Sequence, residues 1–186
     1  MPARVFKHGT VTFGATVGDR ESTGLLQYHE FASARAGQLF RIAYLMCGDW
    51  HEAQDLVQTT LAKLYSSWHR IQKSESVDAY ARKALLHTYL SHRRLRRSGE
   101  IPVAEFVETR APGQNTELRM VLVDALATLP PRNRAVMVLR YLDDHSVEAV
   151  AELMETTPSA IKSICNRSLK QLRALLGDDR ELLFQD

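Results

Sequence analysis

Long apolar runs are missing from this chain of 186 residues. A helix that crosses a bilayer needs about 20 consecutive apolar residues, so membrane insertion is not expected. The first residues also lack the basic, apolar and small-residue blocks of a secretion signal, which points to a cytoplasmic location. Cysteine is scarce. Cys47 and Cys165 lie far apart, with neither metal-ligand spacing nor the density of a secreted disulfide scaffold, and both read as small core residues. There is no glycine-rich phosphate loop, no metal-ligand cluster and no nucleophile placed beside a base, so no enzyme, cofactor or metal is expected. His29, His51 and His69 fall singly on polar positions and read as surface residues. An excess of one charge is lacking too: 24 Lys and Arg stand against 22 Asp and Glu, a net charge of +2. Any affinity for nucleic acid must therefore come from how charges cluster.

What is present is helical periodicity without strand-like alternation, in a chain with 45% hydrophobic residues, so an all-α fold is expected. Met1 to Gly24 shows no sustained period and reads as a flexible tail, either a ragged terminus or an extension that covers a binding surface. From Leu25 to Met46, Tyr28, Phe31, Leu39, Ile42, Ala43 and Met46 recur at helical spacing, and Gly48 ends the helix. Asp49 with Glu52 forms a capping-box-like start to a second helix, striped by Ala53, Leu56, Val57, Leu61, Leu64 and Trp68. A polar loop runs from Ile71 to Val77. Asp78 is expected to cap a third helix, Ala79 to Arg97, that buries Tyr80, Ala84, Leu85, Thr88 and Leu95. The same helix carries Arg82, Lys83, Arg93, Arg94, Arg96 and Arg97 with no acidic residue among them.

Ser98 to Asn115 is aperiodic and holds Gly99, Pro102, Pro112 and Gly113, the composition of a linker. Fully extended it reaches at most ~60 Å, so two tethered halves could touch one duplex at separated sites. Thr116 can cap a helix to Leu129, ended by Pro130 and Pro131. A short helix from Arg132 to Leu142 and a turn at Asp143 to Ser146 follow, and Ser146 caps Val147 to Met154. Glu155, Thr156 and Thr157 then form a short turn before Pro158 opens the last helix. Ile161, Cys165, Leu169, Leu172 and Leu176 share its inner face, expected to pack on Val147, Val150 and Leu153. Ser159, Lys162, Ser163, Asn166, Arg167 and Lys170 are left outward. Donor-rich residues on the second helix of such a pair suit major-groove edges and the phosphates beside them.

LPPRNRAVMVLRYLDDHSVEAVAELM, the pattern Ile161, Lys162, Ser163 and Arg167, the segment GDWHEAQDLVQTTLAKLYSSW and the arginine-rich third helix occur in the order seen in bacterial sigma factors. The chain resembles the extracytoplasmic-function group of the sigma-70 family, in its minimal two-domain form. That resemblance implies a tail at 1–24, sigma domain 2 at 25–98, a linker at 99–116, sigma domain 4 at 117–177 and a C-terminal tail at 178–186. It implies that domain 4 reads the minus-thirty-five promoter element with Ser159, Lys162, Ser163, Asn166, Arg167 and Lys170. Domain 2 would open the minus-ten element with Arg82, Lys83, His87, Ser91, Arg93, Arg94, Arg96 and Arg97, the Lys73 to Val77 loop accepting an extruded base. Asp55, Leu56, Gln58 and Leu61 match the surface that docks on the clamp helices of the largest subunit of core RNA polymerase. The flap region of the polymerase, promoter DNA and an anti-sigma factor are the other implied partners, and the linker would thread through the polymerase cleft.

This chain departs from the family pattern at several positions. His87 stands for a usual Asn, Ser91 for an acidic or amide residue, and Gln54 for the Glu before Asp55. Glu155 replaces a frequent Gly in the turn, which costs strain if that position is left-handed. Ile164 replaces a frequent basic residue, trading a phosphate contact for a thymine-methyl contact. The competing reading is a helix-turn-helix regulator that binds operator DNA as a dimer without polymerase. It accounts for the last helix and leaves AQDLVQ and the arginine-rich helix without a role.

Overall fold

A computed structural model of the chain describes residues 17–72, 76–98 and 116–175. Seven α-helices are found among them: α1 (Val17–Cys47), α2 (Trp50–Ile71), α3 (Val77–Ser98), α4 (Thr116–Ala127), α5 (Pro131–Met137), α6 (Val147–Leu153) and α7 (Pro158–Leu175). A π-helical turn, Val138–Leu142, continues α5. The helices form two small bodies, α1–α3 and α4–α7, as the all-helical reading expected. The linker, the C-terminal tail, Leu176 and most of the Lys73 to Val77 loop fall outside the described residues.

Capping chemistry sets most boundaries. Asp49 Oδ1 accepts the Glu52 amide at the start of α2, satisfying an amide the first turn leaves orphaned. Gly48, at φ +80, closes α1; a Cβ built there would meet Val123 Cγ1 of α4 at 3.3 Å. Two expectations fail at helix starts. α1 begins at Val17, so the segment read as tail is helical from that residue on. Ser76, not Asp78, caps α3: its Oγ accepts the Ala79 amide at 3.1 Å. Asp78 is thereby free to take both Nε and Nη2 of Arg35 on α1, at 2.7 and 2.8 Å.

Leu39, Ile42 and Met46 of α1, Leu64 and Trp68 of α2, and Leu85, Leu86 and Tyr89 of α3 fill the first body. Tyr80, expected inside, is exposed. Leu85 and Thr88 are buried as expected, and Ala81 and Tyr89 join them in the core in place of Tyr80. The second body packs Leu126, Leu129, Val136, Leu139, Val150 and Ile161. Periodicity gave no sign that the two bodies share one continuous buried cluster. Arg134 of α5 is itself buried in the seam, its Nη1 donating to the Met46 carbonyl at the end of α1 at 3.0 Å.

Candidate nucleic-acid interface

Ser146 Oγ accepts the Ala149 amide at 3.0 Å and starts α6. The chain then turns through Glu155, whose φ of +51 is left-handed. Thr157 Oγ1 accepts the Ala160 amide at 3.2 Å, with Pro158 as the first residue of α7, where a missing amide hydrogen costs nothing. Ile161, Ile164, Cys165, Ser168 and Leu172 of α7 are buried. Ser159, Lys162, Ser163, Asn166, Arg167 and Lys170 are all exposed, a row of donors and cations on the outer face. Ile164 is only 9% exposed, so the expected thymine-methyl contact is not available to it. It lies three and four residues from Ile161 and Ser168, and so on the inner face.

On α3, Lys83, His87, Ser91 and Arg94 are exposed and follow one another at helical spacing, forming a single stripe. Arg82, Arg93 and Arg96 of this helix are not free surface charges. Arg82 Nε donates to Asp143 Oδ2 at 2.8 Å. Arg96 Nη1 donates to Glu52 Oε2 at 2.7 Å, Arg93 Nη2 reaches Glu52 Oε1 at 3.3 Å, and His92 Nδ1 lies 3.2 Å from the same oxygen. Arg93 Nη2 also donates to the Cys47 carbonyl. Arg93 and Arg96, expected on the DNA side, thus brace α3 against the start of α2. The side chain of Arg97 is outside the described residues.

Glu52 is the residue that sequence reasoning undervalued. Its capping-box position suggested a side chain turned back on its own helix, yet only the Asp49 half of that box forms. The Glu52 carboxylate is buried and faces the guanidiniums of Arg93 and Arg96 and the imidazole of His92 from α3. Glu155 and Asp143 were likewise read as turn residues. Glu155 Oε1 lies 2.9 Å from Lys83 Nζ and 3.8 Å from His87 Nε2. The hydrogen bond and charge of Lys83, with His87 adding to them, hold the Glu155 carboxyl below its ordinary pKa. Lys83 is raised in return.

Asp55 and Gln58 of α2 are exposed and flank a cleft of about 450 Å³ shared with Ser91 and His92. Leu56 is core, 3% exposed, and Leu61 is half-buried, so of the four expected docking residues it is the polar pair that is presented. Tyr89 of α3 is fully buried and offers no face on which a base could stack.

Both thiols are buried. Burial pushes Cys47 up to about 12, and its Sγ donates to the Asp49 carbonyl; burial raises Cys165 as well. Because the thiolate is the reactive species, iodoacetamide at pH 8 is expected to leave both unmodified in the folded chain and to alkylate both in urea. Mass spectrometry reads the outcome, and rapid labelling of Cys47 without denaturant would contradict its burial.

Residues 31–99 match Sigma-70 region 2, and residues 119–172 match Sigma-70, region 4. The chain belongs to the sigma-70 family. The RNA polymerase sigma-E factor of Streptomyces coelicolor is 33% identical over 152 residues, covering 80% of this chain and 85% of that protein. The ECF RNA polymerase sigma factor SigE of Mycolicibacterium smegmatis is 26% identical over 180 residues, covering 91% and 68%. The solved sigma factor RpoE of Bartonella quintana, in complex with the anti-sigma factor NepR, has the same fold. Its TM-score is 0.68 at 24% identity, over 83% of this chain and 99% of that one. The protein is thus an extracytoplasmic-function sigma factor, which binds core RNA polymerase and directs promoter-specific initiation. Region 2 spans the Glu52 brace and the α3 stripe, and region 4 spans the helix-turn-helix. Among the described residues, no helix is long and apolar enough to cross a membrane.

Proposed function

We propose that α7 reads the minus-thirty-five element, with Lys162, Ser163, Asn166 and Arg167 towards base edges and Ser159 and Lys170 towards flanking phosphates. The supporting observation is the unbroken outward row of donors on a capped helix that follows a short helix and a three-residue turn. Lys83, His87, Ser91 and Arg94 face the displaced strand at the minus-ten element, and Arg82, Arg93, Arg96 and Arg97 strengthen the positive field behind them. Asp55 and Gln58 dock on the clamp helices of the largest polymerase subunit, with Leu61 at the edge, and residues 117–177 reach the flap region. Residues 25–98 act as sigma domain 2. The factor works in the cytoplasm, is not itself an enzyme, and is held in check by an anti-sigma protein.

Lys162→Ala combined with Arg167→Ala is expected to reduce promoter-specific transcription by about thirtyfold, the loss of ~2 kcal/mol of base and phosphate contact. Binding to core polymerase should persist. Unchanged transcription from the same promoter would remove α7 from DNA recognition. Strand contact is better tested at Arg94 alone, since changing Arg93 would also disturb the brace at Glu52. An operator-binding regulator without polymerase is not favoured, because the region 2 match gives the first half a role that such a regulator lacks.

A further inference from the structure

Two guanidiniums meet at the C-terminal end of α1. Arg134 Nη1 of α5 donates to the Met46 carbonyl at 3.0 Å, and Arg93 Nη2 of α3 donates to the next one, Cys47, at 2.9 Å. Bonding to consecutive residues holds the two side chains side by side. Arg134 is buried, and among the described residues its hydrogen bonds go only to the carbonyls of Met46, Ala127 and Leu129. Those oxygens take its Nη donors but bring no full charge, since a helix end supplies only about half of one. Among the described residues, the carboxylate in contact with the pair is Glu52, which lies 3.3 Å from Arg93 and is already bonded to Arg96 at 2.7 Å. Asp49 is committed to the Glu52 amide. The Cys47 thiol, pushed up to about 12 by burial, stays neutral.

Three buried donors in this knot have no acceptor: Arg93 Nε, Arg134 Nε and the Tyr89 hydroxyl. The Tyr89 hydroxyl faces both guanidiniums, and Arg93 Cζ lies 5.5 Å from the centre of the Tyr89 ring. A buried donor left unpaired costs the desolvation of that group, and a cation kept from water without its full countercharge costs more. Water is a poor remedy here. A water molecule accepts through two lone pairs and then needs acceptors for its own hydrogens, whereas a spherical anion accepts from all three donors and supplies the missing charge. Glu52 beside Arg93 already meets part of the positive charge, so a dianion such as phosphate would overcharge the site.

We propose that Tyr89, Arg93 and Arg134 form a buried binding site for a small monovalent anion of the chloride type, bridging α3 and α5 at the end of α1. Arg93, whose side chain is 23% exposed, gives the ion its path to solvent.

Urea denaturation of the full chain in sodium chloride and in sodium gluconate at equal ionic strength tests it, because equal ionic strength removes general screening. With chloride at ten times its dissociation constant, the folding equilibrium constant should be about tenfold higher than in gluconate. Tyr89→Phe keeps the ring and removes one donor, so it should fold and lose most of that difference. The variant carries the same general salt effect, and the comparison isolates the site. Bromide should act as chloride does, and anomalous diffraction from crystals grown in bromide should place the ion against Arg93 Nε, Arg134 Nε and the Tyr89 hydroxyl. Equal stability of the unaltered chain in the two salts would overturn the proposal. A chloride effect of full size in Tyr89→Phe would overturn it too, because the ion would then bind elsewhere. A bromide peak without chloride dependence in solution would mark an adventitious ion only, and water found there in chloride crystals would assign the three donors to hydration; either result sinks the site.

Discussion

Glu52→Ala lowers the stability of the folded chain by about 4 kcal/mol, the range measured when one partner of a buried ion pair is removed. The Glu52 side chain is 5% exposed, and Arg96, Arg93 and His92 have side chains 18%, 23% and 29% exposed around it. Without the carboxylate, two guanidiniums and an imidazole face one another with little water to screen them, and the hydrogen bond from Arg96 Nη1 at 2.7 Å is lost outright. Urea denaturation checks this through a lower midpoint at unchanged slope. Removing a cation as well should relieve part of the loss, so Glu52→Ala with Arg96→Ala is expected to be more stable than Glu52→Ala alone. A single-variant cost below about 1 kcal/mol would mean that the cluster behaves as a solvated surface pair. The same brace sets the pitch of α3 against α2, and the expected functional consequence is displacement of Ser91 and Arg94 from the strand-facing stripe.

Arg134→Met costs about 3 kcal/mol for a related reason. Besides the Met46 carbonyl, its guanidinium donates through Nη2 to the carbonyls of Ala127 and Leu129, at 2.7 and 3.3 Å. These oxygens close α4 and the turn after it, and Met46 lies at the end of α1. Burial lowers the pKa of the guanidinium, so the charge is held there against a desolvation cost that the three carbonyl contacts offset. Methionine keeps much of the apolar stem and supplies no donor, which isolates the hydrogen bonds from the packing. A fall in Tm of roughly 6–12 °C is expected for a chain of this size. A Tm within about 2 °C of the original would show that water can replace the guanidinium.

The helices, their order and the helix-turn-helix were legible before any coordinates because they follow from local rules. Apolar residues at helical spacing, Asp49, Ser146 and Thr157 at helix starts, and Pro158 at a first position each act within a few residues of themselves. The outward row on α7 was legible for the same reason, since one buried stripe dictates what faces away. Where two stripes compete, the sequence did less well. Tyr80 and Tyr89 on α3, or Ile164 and Leu169 on α7, each satisfy a helical period, and only the neighbouring helices decide which is inside.

The partners of charged residues were not legible, because periodicity describes one element at a time while an ion pair belongs to two. Glu52 finds Arg96 across 44 residues, and Asp143 finds Arg82 across 61. The sequence by itself determined two helical bodies and the faces they present. The tertiary structure alone decided which cations are braces, which pair with acids of the other body, and which face solvent alone. Burial of a carboxylate is stable only where the fold brings donors to it, and those donors come from helices that the local pattern cannot connect.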